Sequence, residues 1–376
     1  MRRVRLASLF VAALCAVAAA VEPPSSGTGA PETSRFEALK PKLWSKDRAE
    51  REKAYDAYLA AGDEGRKQLV ADLLAIRAAA VAACREICLS DDTQKKLLTG
   101  YTKLAEARKE ALRVIFDTKI YPDADHGRIG QPIVDKAVDA VKAYHPLFTK
   151  AFDPLVKRFE RIPRAYERVC EIDARLEKLG VKDVEFRPPL EKLMGWSPEL
   201  LKIVQEQAEY TALCDRVARY NRLIRTTLTS DERKVVDLTN EYRMQLGLKP
   251  LAISEPLTQA ARKHSQEMER LGYFAHESPT PGRRSPGDRC ALEGYHHFRG
   301  ENCASGGGPE MAFRMWYNSS GHHRNMLGGH NEIGVGQGGP WTEDFGNRPD
   351  LDLDNPPRTL PRPAAVPAKE PPPKKK

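Results

Sequence analysis

Between residues 273 and 345 the chain sets titratable side chains inside apolar, glycine-rich segments, and this limits what it can fold into. The segments are YFAHESP (273–279), GENCA (300–304) and WYNSSGHHRNML (316–327), and they close on EIGVGQGGPWTEDFG (332–346). A histidine or glutamate among small and apolar neighbours needs polar partners, because a buried polar group without one costs about 1–3 kcal/mol. The three segments are separated in sequence, so those partners meet only in a folded cavity. The expectation is a polar site set into a compact core.

The chain has 376 residues, 41% hydrophobic and 30% charged, which is enough for two ordinary domains. Its formal net charge is +8. No dense basic stripe interleaved with aromatics accompanies that excess, so no nucleic-acid partner is expected. The charge reads as the solvated surface of helices.

Residues 1–20 have the pattern of an export signal. A cationic start (Met1-Arg2-Arg3-Val4-Arg5) precedes an apolar run over 6–17 and small residues suited to cleavage at 16–20. The run is short for a span, which needs about 20 residues, so no transmembrane anchor is expected after cleavage. Cys15 follows Leu14, too bulky for the position before a lipidated cysteine. The expected location is secreted, or periplasmic and cell-envelope. Residues 21–34, rich in Pro, Ser and Gly, read as a flexible leader. Six cysteines remain: Cys84, Cys88, Cys170, Cys214, Cys290 and Cys303. In an exported chain an even number permits disulfides; Cys290 with Cys303 is one candidate, Cys84 and Cys88 with Cys170 and Cys214 another, and buried free thiols the alternative.

Residues 35–228 read as an all-α bundle or helical hairpin, a spacer, an interaction surface or a docking site for a protein partner. Ser45, Asp63 with Glu64, and Ser90 are candidate starts of the first three helices. Further helices are expected over 133–144, 146–179 and 197–228, with Pro146 and Pro198 in first turns, where the missing N–H is harmless. The stretch 123–129 (DADHGRI) has the outline of a calcium loop without its third acidic ligand or closing glutamate, and reads better as a turn.

From 229 to 346 short helices alternate with strands. Ser230 and Ser254 open helices, Ser285 a third, 299–304 reads as a strand, 309–318 as a helix, and 332–336 and 340–345 as two strands. The fold class is α+β: a C-terminal α/β/α sandwich with a mostly antiparallel sheet behind a helical domain. The Pro- and Lys-rich residues 347–376 read as a disordered tail, solvated or touching an acidic envelope polymer.

The succession LTNEYRMQLGLKPL, LTQAARKHSQEM, GYFAHESP, DRCALEGY, GENCASG, WYNSSGHHRNML, EIGVG and WTEDFG resembles the CAP (SCP/PR-1) domain in its bacterial secreted form, over about residues 231–346. The resemblance implies a central cleft lined by two histidines and acidic residues, in some members holding a divalent metal. By motif the histidines are His276 and His322, and the glutamate is Glu301. The fourth position, a glutamate three residues after the tryptophan in many eukaryotic members, is Ser319 here, a loss that bacterial members commonly share.

Apart from the resemblance, His276 and His322 are candidate ligands for zinc or another divalent cation, and Glu301 is the candidate base for a metal-bound water. The other reading is a hydrogen-bonded polar network without turnover. Asn302 is expected to brace its loop, and Arg324 and Asn325 to fix a turn. His264 beside Ser265 lacks the companions of a catalytic triad. His296, His297, His323 and His330 are expected to be exposed. Three functions follow: a non-enzymatic binding or scaffold protein for a small ligand or envelope polymer, a metal-dependent hydrolase (peptidase or cell-wall active), and a lipid or sterol binder.

Overall fold

The computed structural model describes residues 34–123 and 129–360. The export segment, the leader up to residue 33, most of the candidate calcium loop and the tail beyond 360 lie outside the described residues. In chain order the helices are α1 (Ser34–Leu39), α2 (Arg48–Leu59), α3 (Gly62–Arg85), α4 (Asp91–Phe116), α5 (Gln131–Phe159), α6 (Ile162–Lys178), α7 (Leu190–Met194), α8 (Pro198–Leu223), α9 (Ser230–Gln245), α10 (Glu255–Leu271), α11 (Pro286–Leu292), α12 (Pro309–Tyr317) and α13 (Ser320–Leu327). The strands are β1 (Ala252–Ile253), β2 (Phe298–Ala304), β3 (Glu332–Gln337) and β4 (Trp341–Gly346).

The chain divides into two compact units. Among the described residues, one comprises 34–81 with Glu167–Arg187, the other those within Ala82–Tyr166 and 188–360. The division therefore does not follow the change of sequence character at 228. In the first unit Leu43, Tyr55, Tyr58, Leu69, Leu73, Ile172 and Leu176 make the core. Its buried Asp173 is matched by Arg77 and by the Arg187 amide at 2.6 Å.

The second unit is organised by a sheet in the order β1-β3-β4-β2. β1 pairs parallel with β3; β4 is antiparallel to both β3 and β2. α10 and α11 cover one face, and α9, α12 and α13 the other, giving the α/β/α sandwich. The glycines of β3 explain how closely α10 lies. A Cβ on Gly334 would stand 2.2 Å from the Thr258 amide nitrogen, and one on Gly336 2.0 Å from that of Arg262. Ile333 and Val335 point the other way, into a core with Trp316, Met326, Trp341 and Phe345. β2 is left as the edge strand, and the candidate site forms there.

Several expectations need correction. The helix expected to start at Pro146 does not: α5 runs unbroken through Pro146 and Pro154. An interior proline costs about 3 kcal/mol, but the buried stripe Val138, Val141, Phe148, Phe152 and Val156 continues across it and packs on α4. Asp47, not Ser45, caps α2, and Thr229, not Ser230, caps α9 in a capping box with Glu232. β1 and α13 were not foreseen. None of the six cysteines from Cys84 to Cys303 is paired with another in a disulfide among the described residues. Cys290 and Cys303 fail to pair because each faces its own partners: Cys290 Sγ lies 3.8 Å from Asp344 Oδ2, and Cys303 Sγ 3.8 Å from His276 Nδ1.

The tail also departs from expectation. Residues 347–360 are folded onto the domain: Leu351 and Leu353 pack against its core, and the Arg225 amide donates to the Pro357 carbonyl at 2.9 Å. Arg348 meets the buried Glu332 at 2.8 Å. Apolar residues spaced two apart give this stretch a face to bury, despite its prolines.

Candidate functional site

Glu301 and Cys303 stand two apart on β2 and so share one face, opposite Asp344 and Thr342 of β4 in the sheet register. Asn302, between them, points to the other face. This alternation puts the parts of the site on both sides of one edge strand.

On the α10 side, the loop after α10 carries His276. The buried Glu267 pins that loop, accepting from Tyr273 Oη at 3.0 Å, Ser278 Oγ at 2.7 Å and Thr280 Oγ1 at 2.6 Å. His276 Nδ1 then lies 2.9 Å from Glu301 Oε1. Arg289 of α11, 1% exposed, donates from Nη2 to Glu301 Oε2 at 2.5 Å and from Nη1 to the carbonyls of His276, Arg283 and Arg284. One guanidinium thus fixes both the carboxylate and the loop that carries the histidine.

Burial pushes the Glu301 carboxyl up, but the His276 hydrogen bond and the Arg289 charge outweigh it, and the group stays below the usual range. Asp344 goes the other way. Burial and the neighbouring Glu301 charge hold its carboxyl well above the usual range, so it is the protonated member of the pair. The Cys303 thiol is likewise pushed up by burial and by the Glu301 charge.

On the opposite face, Asn302 Nδ2 donates to the His322 carbonyl at 3.1 Å and to Glu343 Oε2 at 3.2 Å. Asn325 Nδ2 donates to Asn302 Oδ1 at 3.0 Å and to the Glu301 carbonyl at 3.2 Å. Glu343 is fully buried, and burial pushes its carboxyl up to about 7 against the hydrogen bonds from Thr239 and Asn302. α13, which carries His322, is held by α4 and the segment after it. Arg324 Nη1 donates to the carbonyls of Ile115 and Tyr121 at 3.0 Å, and Ser320 Oγ to Asp123 at 2.7 Å.

His276 and His322 therefore meet across the edge of β2, ring centroids 6.1 Å apart and planes at 58°. His276 is half exposed and His322 half-buried. With Nδ1 engaged by Glu301, Nε2 is the His276 nitrogen that remains to take a ligand. An imidazole centroid lies about 3 Å from a metal bound to its nitrogen at about 2 Å, so the two rings stand close enough to share one cation. Ser319, half-buried at the start of α13 with no side-chain cap bond, supplies no carboxylate.

Four polar residues here were not singled out from sequence: Arg289, Asp344, Glu343 and Glu267. Arg289 in PGDRC resembles a surface helix residue, and only the capping box Ser285–Asp288 hinted at which face it shows. Asp344 and Glu343, consecutive acids in a strand otherwise apolar, were the readable signal. His296 and His297 are exposed as expected, but His330 is half-buried and His323 wholly buried. His323 Nε2 lies 2.7 Å from Tyr242 Oη, and burial drives its pKa down to about 3. Ser265 bonds Thr342 and the Gly336 carbonyl while His264 faces the Ala275 carbonyl, so the two form no catalytic pair.

Residues 236–338 match the model of CAP, the cysteine-rich secretory protein family. The uncharacterized protein YkwD of Bacillus subtilis is 43% identical over 126 residues, 32% of this chain and 48% of YkwD. The uncharacterized membrane protein YlbC of the same organism is 37% identical over 113 residues, 29% of this chain and 32% of YlbC. The chain thus spans about half the length of the first relative and a third of the second. Among solved structures, an extracellular protein containing an SCP domain from Bacillus anthracis is 29% identical, over 33% of this chain and 45% of that one, with a TM-score of 0.30. An outer surface protein of Borrelia burgdorferi is 20% identical, over 33% of this chain and 98% of that one, with a TM-score of 0.28. Residues 236–338 of this chain are a CAP domain of the cysteine-rich secretory protein family.

Proposed function

We propose that this protein is an exported binding or scaffold protein of the cell envelope or extracellular space, whose cleft captures a polar ligand group between His276 and His322 without turning it over. The observation that carries this reading is the state of Glu301. One oxygen accepts from His276 and the other from Arg289, at 2.9 and 2.5 Å. A general base needs a pKa near the working pH and freedom to turn towards its water; Glu301 is held below the usual carboxylate range with each oxygen engaged by a neighbour, and it serves instead to aim the His276 ring. The second acid that a hydrolytic site would use is replaced by Ser319. Zinc or another divalent cation fits between the two imidazoles, His276 through Nε2, with the ligand or water as its remaining partners.

The test is a hydrolysis screen of purified protein over peptide and glycan panels, with and without zinc, beside calorimetric titration with zinc. Binding without turnover is expected, weakened at least tenfold by the His276→Ala, His322→Ala double variant. Turnover that disappears in Glu301→Gln overturns the reading in favour of a metal-dependent hydrolase.

A further inference from the structure

We propose that a thiophilic divalent cation, zinc by preference, binds beneath the cleft, held by His264, Glu301 and Cys303 with His276 closing a tetrahedron. The site shares His276 with the cleft reading and makes no use of His322. It begins from the side chains that β2 and α10 bring together. Glu301 and Cys303 point to the same face of the strand, and His264 descends on them from the helix that the β3 glycines allow so close. All three are buried, and one donor atom from each lies within 4.8 Å of the others. Zinc with bonds of about 2.0–2.3 Å sets its ligand atoms ~3.3–3.8 Å apart, so the cluster needs to close by about an ångström.

His276 Nδ1 is already 2.9 Å from Glu301 Oε1 and 3.8 Å from Cys303 Sγ, the position of a fourth ligand. Both His264 nitrogens have an oxygen beside them, the Ala275 carbonyl at 3.0 Å and the Tyr273 hydroxyl at 3.5 Å. Whichever nitrogen turns to the metal, the other keeps the outer partner that fixes a ligating imidazole. Arg289 remains on Glu301 Oε2 in the same outer role.

The charges balance: one carboxylate and one thiolate against a dication. The metal–sulfur bond forms as the Cys303 S–H proton leaves to solvent, and His276 binds as neutral imidazole, its proton moving from Nδ1 to Nε2 as Nδ1 turns its lone pair to the metal, with no change of oxidation state. The sulfur favours zinc over magnesium or calcium, and four protein ligands make the site structural rather than hydrolytic.

Cobalt is the probe. The full chain, reduced and metal-free, titrated with Co2+ should develop a thiolate-to-cobalt charge-transfer band in the near ultraviolet that zinc removes. The band should vanish in Cys303→Ser and persist in His322→Ala. X-ray absorption of zinc-loaded wild type, which needs no variant to fold, should find one sulfur at about 2.3 Å from the metal. A metal shell of nitrogen and oxygen alone, with affinity lost in His322→Ala, overturns this site and leaves the cleft reading standing. A thiolate band that survives Cys303→Ser also overturns it.

Discussion

The two faces of β4 hold the same chemical problem solved in two ways. On the α10 side, Glu301 and Asp344 are buried together with the guanidinium of Arg289. One acid is ionised and its neighbour keeps the proton. On the α9 side, Glu343 is buried with only neutral donors in contact among the described residues, Thr239 Oγ1 at 2.8 Å and Asn302 Nδ2 at 3.2 Å. Arg243 contributes at longer range without touching it. Hydrogen bonds of that kind do not offset the loss of water, and the carboxyl moves up to about 7. Glu301 is held charged by the His276 hydrogen bond together with the Arg289 charge, and Glu343 has neither in contact.

The comparison breaks most readily at Arg289. Arg289→Met removes the only guanidinium that touches Glu301 among the described residues and frees three carbonyls, leaving an uncompensated buried carboxylate. A loss of about 3–5 kcal/mol is expected, read by urea denaturation. A loss under about 1 kcal/mol would mean that Glu301 takes up a proton at no real cost, and the two faces would then be alike.

Glu343 gives the next effect. Its folded pKa is above the ordinary 4.5, so from about pH 4.5 to 7 the unfolded chain gives up a proton that the folded chain keeps. Stability contributed by this group is therefore intact at low pH and falls as pH rises through that window, by up to about 3 kcal/mol. Glu343→Gln should flatten this part of the profile, measured as the difference between variant and wild type from pH 4 to 8. Glu301, with a lowered pKa, has the opposite sign, and its contribution falls away under acid. Equal slopes in variant and wild type would refute the assignment at Glu343.

How much of this was legible depended on whether a residue's role is local. Ser90 and Ser197 cap their helices as the sequence implied, because a cap is decided within three residues. The meeting of His276 with Glu301 was readable from segments whose polarity conflicted with their apolar setting. Arg289 was not, since an arginine reads as solvated until its carboxylate is found twelve positions away on another element. Adjacent histidines show the same limit. On α13 the helical period sends His322 to the cleft and His323 into the core against Tyr242, and without that helix His323 was expected to be exposed. Pro146 misled because its local rule was outweighed by packing that only the α4–α5 pair reveals.

The smallest effect isolates a single neutral bond. Thr239→Val keeps the shape of the side chain and removes the hydroxyl that donates to Glu343 Oε1. If neutral donors set the position of this acid, losing one of two should cost about 1 kcal/mol near pH 8, where the carboxylate is ionised, and almost nothing near pH 4, where it is not. The direction is fixed: the folded pKa climbs further above about 7, and the falling limb of the stability profile, still starting near the unfolded 4.5, extends to higher pH. Denaturation midpoints of Thr239→Val at the two pH values decide the matter. A cost independent of pH would assign the hydroxyl to packing between α9 and β4, and the contrast between the two faces would then rest on Asn302 alone.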